Sequence, residues 1–151
     1  MTSRIDNTLK KDANGTGSYT LRPATINEAY EIWSIMDTCF QALEHKEYFI
    51  CDDLDYVKDI LSGQGFAVVT CDEAGKIVGN LLVKYPGLTD ENLGYDVSLS
   101  NKELCKVLHM DSSTVLPEHR GHRLEAKMIT CCSRRWAGCP ARYPPRCCTP
   151  R

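Results

Sequence analysis

The stretch that decides the fold is Val115–Ala126, "VLPEHRGHRLEA". An apolar run ends at Pro117, a basic turn containing Gly121 follows, and a helix-forming segment begins at Leu124. Pro117 cannot extend a central strand, so the chain must leave a sheet there. The first amides of a helix have no intrahelical partner and carry partial positive charge, so they attract phosphate. A strand that reaches such a terminus through Arg120, Gly121, His122 and Arg123 is a seat for an anion, with the arginines able to add charge-assisted bonds. The bland alternative is a solvated basic turn.

Working outward toward the N-terminus, "CKVLHMDSSTVLP" reads as the strand that feeds the turn. The polar residues 86–104 before it form a long loop with a helical turn near 100–105. Phe66–Cys71 and Lys76–Tyr85 are β-rich runs joined by "DEAG", a hairpin signal, and Gly79 marks a bulge in the second run. "DDLDYVKDILSG" fits a helix capped by Asp52 or Asp53, with a stripe of Leu54, Val57, Ile60 and Leu61 and a stop at Gly63. "INEAYEIWSIMDTCFQAL" fits another, capped by Asn27, with Ala29, Trp33, Met36 and Phe40 on one face. "YTLRPAT" (Tyr19–Thr25) alternates as a first strand. On the C-terminal side, "RLEAKMITCC" is a helix with Leu124, Met128, Ile129 and Cys132 on its apolar side. The predicted order is β-α-α-β-β-β-α, an α/β (α+β) layered domain on a mixed sheet.

The 151 residues suffice for one domain with a core. The formal charge of −2 conceals a step. Residues 1–132 carry all 20 acids against 13 Lys and Arg, a net of −7, whereas 133–151 carry five Arg and no acid. The expected organisation is a flexible leader at 1–18, a domain at 19–132 and an irregular tail at 133–151. The tail, "SRRWAGCPARYPPRCCTPR", has four Pro and three Cys and no Leu, Ile or Val, so it cannot bury an apolar stripe. No 18-residue apolar run exists, and the leader lacks an apolar signal-peptide core, so no membrane span and a cytoplasmic location are expected. Six of the nine cysteines sit in core-like patterns, as buried thiols do.

"VLPEHRGHRLEA", after a strand and before a helix, resembles the acyl-CoA motif V-x-P-x-x-[QR]-G-x-G-x-[GA] of the GCN5-related N-acetyltransferases (GNAT). "YTLRPAT", the two helices and the hairpin with "KIVGNLLV" agree with that resemblance, which covers about residues 19–132. It implies acetyl transfer from acetyl-CoA to a primary amine, without a metal or a covalent intermediate. It also implies that Val115 meets pantetheine, and that Arg120, Gly121, His122, Arg123, Leu124 and Glu125 form the pyrophosphate loop. Two positions depart from the pattern: Arg123 replaces the second glycine and Glu125 the following small residue. Arginine there suits phosphate, whereas a carboxylate repels it.

In the family the fold continues past this helix with three further strands and another helix. The change to Arg, Pro and Cys near residue 132 is what loss of the reading frame in a GC-rich gene would produce. The expectation is therefore a truncated domain whose activity is reduced or lost. Its last strand would expose an apolar edge open to homodimerisation.

For proton management, Asp111 is the base candidate on the strand before the turn, alternation placing His109, Asp111 and Ser113 on one face. Tyr143, in "ARYPP" with no helix to aim it, is set aside as an acid. The expected partner is a small-molecule or peptide amine, a cationic one suiting the acidic body. No metal site is read: His119 and His122 lack ligand company at suitable spacing. Nucleic-acid binding by the Arg-rich tail is not expected, since aromatic interleaving is sparse. The rival class is a non-catalytic CoA-binding remnant, or a metal or nucleic-acid binder acting through the tail.

Overall fold

A computed structural model describes residues 8–9 and 18–136. Its elements are β1 (Thr8–Leu9), β2 (Tyr19–Pro23), α1 (Ala29–Gln41), α2 (Leu54–Asp59), β3 (Gly65–Cys71), β4 (Ile77–Lys84), α3 (Asn101–Leu104), β5 (His109–Val115) and α4 (Leu124–Trp136). The strands lie in the order β1-β2-β3-β4-β5, each antiparallel to its neighbour. The layered α/β arrangement is the predicted one. The sheet, expected to be mixed, is antiparallel throughout the described residues.

Two boundaries differ from the sequence expectation. Thr8–Leu9, inside the stretch read as a leader, pairs with Thr20 and Tyr19 as a short edge strand. At the other end, α4 runs on to Trp136, four residues past the boundary expected at 132. The remainder of the expected tail lies outside the described residues.

The hairpin supplies the centre of the sheet. Asp72 closes its turn, accepting from the amides of Ala74 and Lys76 through Oδ1, while its own amide donates to the Lys76 carbonyl. β3 is buried from Ala67 to Cys71 and β4 from Ile77 to Val83, without alternation. Such continuous burial requires cover on both faces of the strands. α1 packs against β4 and β5 and α4 against β3, β4 and β5, so the two helices form the outer layers. Ile32 and Met36 from α1, Val57 from α2 and Ile60 just after it, and Leu124, Met128 and Cys132 from α4 close over Val69, Val78, Leu81 and Leu82. A bulge falls where Thr70 opposes Gly79 and Cys71 opposes Ile77, leaving Val78 as the extra residue beside the expected glycine. Gly79 itself answers to close approach: a Cβ there would lie 3.0 Å from the Thr114 carbonyl oxygen of β5.

The helices refine the predicted faces. α1 buries Ala29, Ile32, Ile35, Met36 and Cys39, with Trp33 and Phe40 half-buried at the flanks. The buried stripe is rotated from the aromatics toward Ile32, Ile35 and Cys39. The chain enters α1 through a 3-10 turn, Ile26–Glu28, with Thr25 rather than Asn27 at the cap. Glu28 reaches back to the Thr25 amide at 2.8 Å and forks onto Arg22 of β2 at 2.6 and 3.0 Å. α2 starts as expected, with Asp53 Oδ1 accepting from the Tyr56 amide at 2.8 Å. In α4, Ile129 is 40% exposed, so only Leu124, Met128 and Cys132 form the buried stripe. Its i+5 offset from Leu124 carries Ile129 away from the sheet.

Candidate functional site

Two neighbourhoods lie at opposite ends of β5. At its C-terminal end the strand passes Val115 and Leu116 into a 3-10 turn, Pro117–His119, and then into α4. Val115 and Leu116 are buried, and the Leu116 amide donates to the Val78 carbonyl of β4. A trans peptide points its C=O opposite to its N–H, so the Val115 carbonyl faces away from β4. That carbonyl accepts from Arg120 Nε at 3.1 Å and from Cys39 Sγ of α1 at 3.5 Å. Burial pushes the Cys39 thiol pKa up, so it is the neutral S–H that donates. Arg120 therefore spends one donor tying the turn to the strand end.

Gly121 has φ +85° and nothing within 4 Å of where a Cβ would stand. Arg123 has φ +57°, the left-handed region that a glycine in the family pattern would enter freely. The Lys127 amide donates to the Arg123 carbonyl at 3.1 Å, which makes Arg123 the N-cap of α4. A guanidinium has donors only, so the cap side chain cannot satisfy the amides of Leu124, Glu125 and Ala126. Beside this helix start Arg120, Gly121 and Arg123 are exposed. The Leu124 side chain is in the core and only its amide is on offer, whereas Glu125 places an exposed carboxylate in the first helical turn.

The two histidines are half-buried against β2. His119 Nδ1 lies 3.1 Å from the Tyr19 hydroxyl, and the His122 ring centroid lies 5.3 Å from that of Tyr19. Together with Arg120 they brace the turn from two sides.

The N-terminal end of β5 carries Asp111. Leu82 opposes Ser112 and Val83 opposes Met110, so Asp111 is the extra residue of a bulge. One inserted residue reverses the parity of everything after it. Ser113, opposite Leu81, thus shares a face with Met110, and the expected common face of His109 and Ser113 does not form. Asp111 is exposed and accepts from the Tyr56 hydroxyl of α2 at 2.7 Å. Lys84 Nζ stands 5.7 Å from the Tyr56 ring centroid and bonds Glu91 at 2.5 Å. Burial first, and then the bond to Asp111, raises the Tyr56 pKa. Burial, and then the nearby Asp111 charge, raises that of Asp52. His109 Nε2 accepts from the Leu93 amide at 3.3 Å. Ser112 Oγ and Ser113 Oγ are shielded from solvent without a protein partner.

The residues of the turn are thus gathered around one helix start. Asp111 stands apart from them, on β5 four residues before Val115. Sequence reasoning missed Tyr56, Asp52 and Lys84. Tyr56 lies beside the apolar stripe of its helix, and nothing local ties it to a residue 55 positions away. Tyr143 lies outside the described residues, and among those residues no group of three or more His, Cys, Asp and Glu is placed to hold a metal ion. Likewise, no helix among them is long and apolar enough to cross a membrane.

No protein-family model matches the sequence, and no curated protein matches it. Solved structures match the fold. A GNAT family acetyltransferase from Brucella melitensis, in complex with acetyl-CoA, superposes with a TM-score of 0.58 at 16% identity, covering 82% of this chain and 71% of that one. A putative acetyltransferase from Acinetobacter baylyi gives 0.57 at 11% identity, over 81% and 64% of the two chains. An aminoglycoside N-acetyltransferase in complex with CoA gives 0.53 at 13%, over 81% and 70%. The chain therefore has a GNAT-like, acyl-CoA N-acyltransferase-type fold.

Proposed function

We propose that the protein binds acetyl-CoA at the β5–α4 turn and transfers its acetyl group to a primary amine. The observation that carries this reading is the start of α4. It is an open helix N-terminus capped by an arginine in left-handed geometry, in a fold whose solved neighbours hold acetyl-CoA or CoA. The residues fit a pyrophosphate. The Leu124, Glu125 and Ala126 amides lack a cap from Arg123, Gly121 leaves open space, and Arg120 keeps donors beyond the one on Val115. His122 and Arg123 add to the basic rim. Glu125 opposes this attraction, its exposure letting the carboxylate turn toward solvent. Val115 is the pantetheine-side residue in this reading, and Asp111 is the group that receives the proton of the attacking amine. Such transfer needs proximity, a polarised thioester carbonyl and a proton acceptor.

A second reading, CoA binding without transfer, is favoured by one observation: the outward carbonyl of Val115 is already bonded by Arg120 and Cys39. Isothermal calorimetry of the full chain with acetyl-CoA, followed by mass spectrometry of amine probes, separates the two. Micromolar binding with amine acetylation is expected. Binding without acetylation selects the second reading, and no heat at millimolar acetyl-CoA refutes both. We also assign the edge of β5 as the place where a second copy would pair, a homodimer that light scattering tests.

A further inference from the structure

We infer that Tyr56 is the positioning residue for Asp111, and that the two form the amine end of the site, suited to a cationic amine. The inference rests on the acetyl-transfer reading above. A bulge residue is among the least constrained in a sheet, since it has no residue opposite it to fix its direction. Asp111 is such a residue, and the Tyr56 hydroxyl supplies the missing constraint by donating to Oδ2 at 2.7 Å. Tyr56 is itself held on three counts. Its amide is bonded to Asp53 at the start of α2, its ring lies beneath Lys84, and Lys84 is fixed by Glu91. A hydroxyl bond to Oδ2 leaves Oδ1 as the carboxylate oxygen free to take a proton. The surrounding charge is anionic: Asp52, Asp53, Asp111 and Glu91 stand against Lys84, with His109 beside them. Burial and Asp111 both raise the Asp52 pKa, which places the two carboxylates within mutual influence.

The step balances as follows. The cationic amine first loses one proton to water, and its neutral nitrogen then forms a bond to the acetyl carbon as the carbon–sulfur bond breaks. The nitrogen gives its proton to Asp111, which returns it to water, and the departing thiolate takes a proton from water. Tyr56 keeps its own proton throughout.

The test is a double-mutant cycle on the full chain. Acetylation of spermidine, an aminoglycoside and an alanine-initiated peptide is followed with acetyl-CoA as donor. Tyr56→Phe keeps the ring beneath Lys84 and removes only the hydroxyl. It is expected to lower kcat about tenfold, the effect of one hydrogen bond to a charged group, with acetyl-CoA affinity unchanged. In an Asp111→Asn background the same change is expected to have no further effect, because a residue acting through another is silent once that residue is gone. Additive losses, or unchanged kcat in Tyr56→Phe, overturn the inference. Acetyl-CoA binding without acetylation of any probe overturns it too and leaves CoA binding standing. Failure of acetyl-CoA to bind overturns the parent reading instead.

Discussion

Arg123→Gly is expected to make the protein more stable and a poorer CoA binder at once. Arg123 holds φ +57°, where an L-residue crowds its Cβ against the following carbonyl at a cost of about 1–2 kcal/mol. Glycine has no Cβ and removes that cost. It also gives the unfolded chain more freedom, which returns about 0.5–1 kcal/mol. The net gain is about 0.5–1 kcal/mol, a rise in Tm of roughly 1–4 °C for a chain of this size. Arg123→Ala supplies the control, since it deletes the charge but keeps the Cβ and is expected to show no such rise. Both variants lose a charged donor at an exposed site, so acetyl-CoA affinity should fall about three- to tenfold in each. Thermal unfolding by circular dichroism and calorimetry with acetyl-CoA read the two effects separately. Equal Tm values for the glycine and alanine variants would refute the left-handed cap.

Three further outcomes follow from particular contacts. Glu28 is held by Arg22 at a pKa of about 2, below its ordinary 4.5, so its stabilisation is present above pH 4.5 and disappears as pH falls toward 2. Because Arg22 is 38% exposed, the full linkage value is discounted to about 1–2 kcal/mol. Urea unfolding should show Glu28→Gln less stable than the parent by that amount at pH 7, with the gap closing at pH 2.5. Glu125→Gln removes the carboxylate from the first turn of α4 and is expected to tighten acetyl-CoA binding a few-fold, an effect that fades with added salt. Gly79→Ala would force a Cβ to 3.0 Å from the Thr114 carbonyl, and denaturant melts should show a loss of about 1–3 kcal/mol.

How much could be read locally is clear from the elements themselves. The turn from Asp72 to Lys76, the Asp53 cap and the passage from β5 through Pro117 into α4 are each encoded within a few residues. Hydrogen-bonding side chains and backbone restrictions act over that range, so short patterns suffice. The turn of the candidate site was legible for the same reason, including the departures at Arg123 and Glu125. Burial faces were legible only in part: the α1 stripe is rotated from Trp33 and Phe40 toward Ile32, Ile35 and Cys39, and Ile129 of α4 lies outside the core. Periodicity marks that a face exists, but the packing partner decides which residues turn into it.

By itself, then, the sequence determined the order of the main elements from β2 to α4 and the passage from β5 through a basic turn into a helix. Only the tertiary structure decided that Arg120 is bonded back to Val115, that Asp111 is a bulge residue, and that Tyr56 meets it from another helix. The physical reason is one of range. Turns and caps are settled by neighbours along the chain, whereas register, parity and side-chain partners are settled when strands and helices distant in sequence pack against one another.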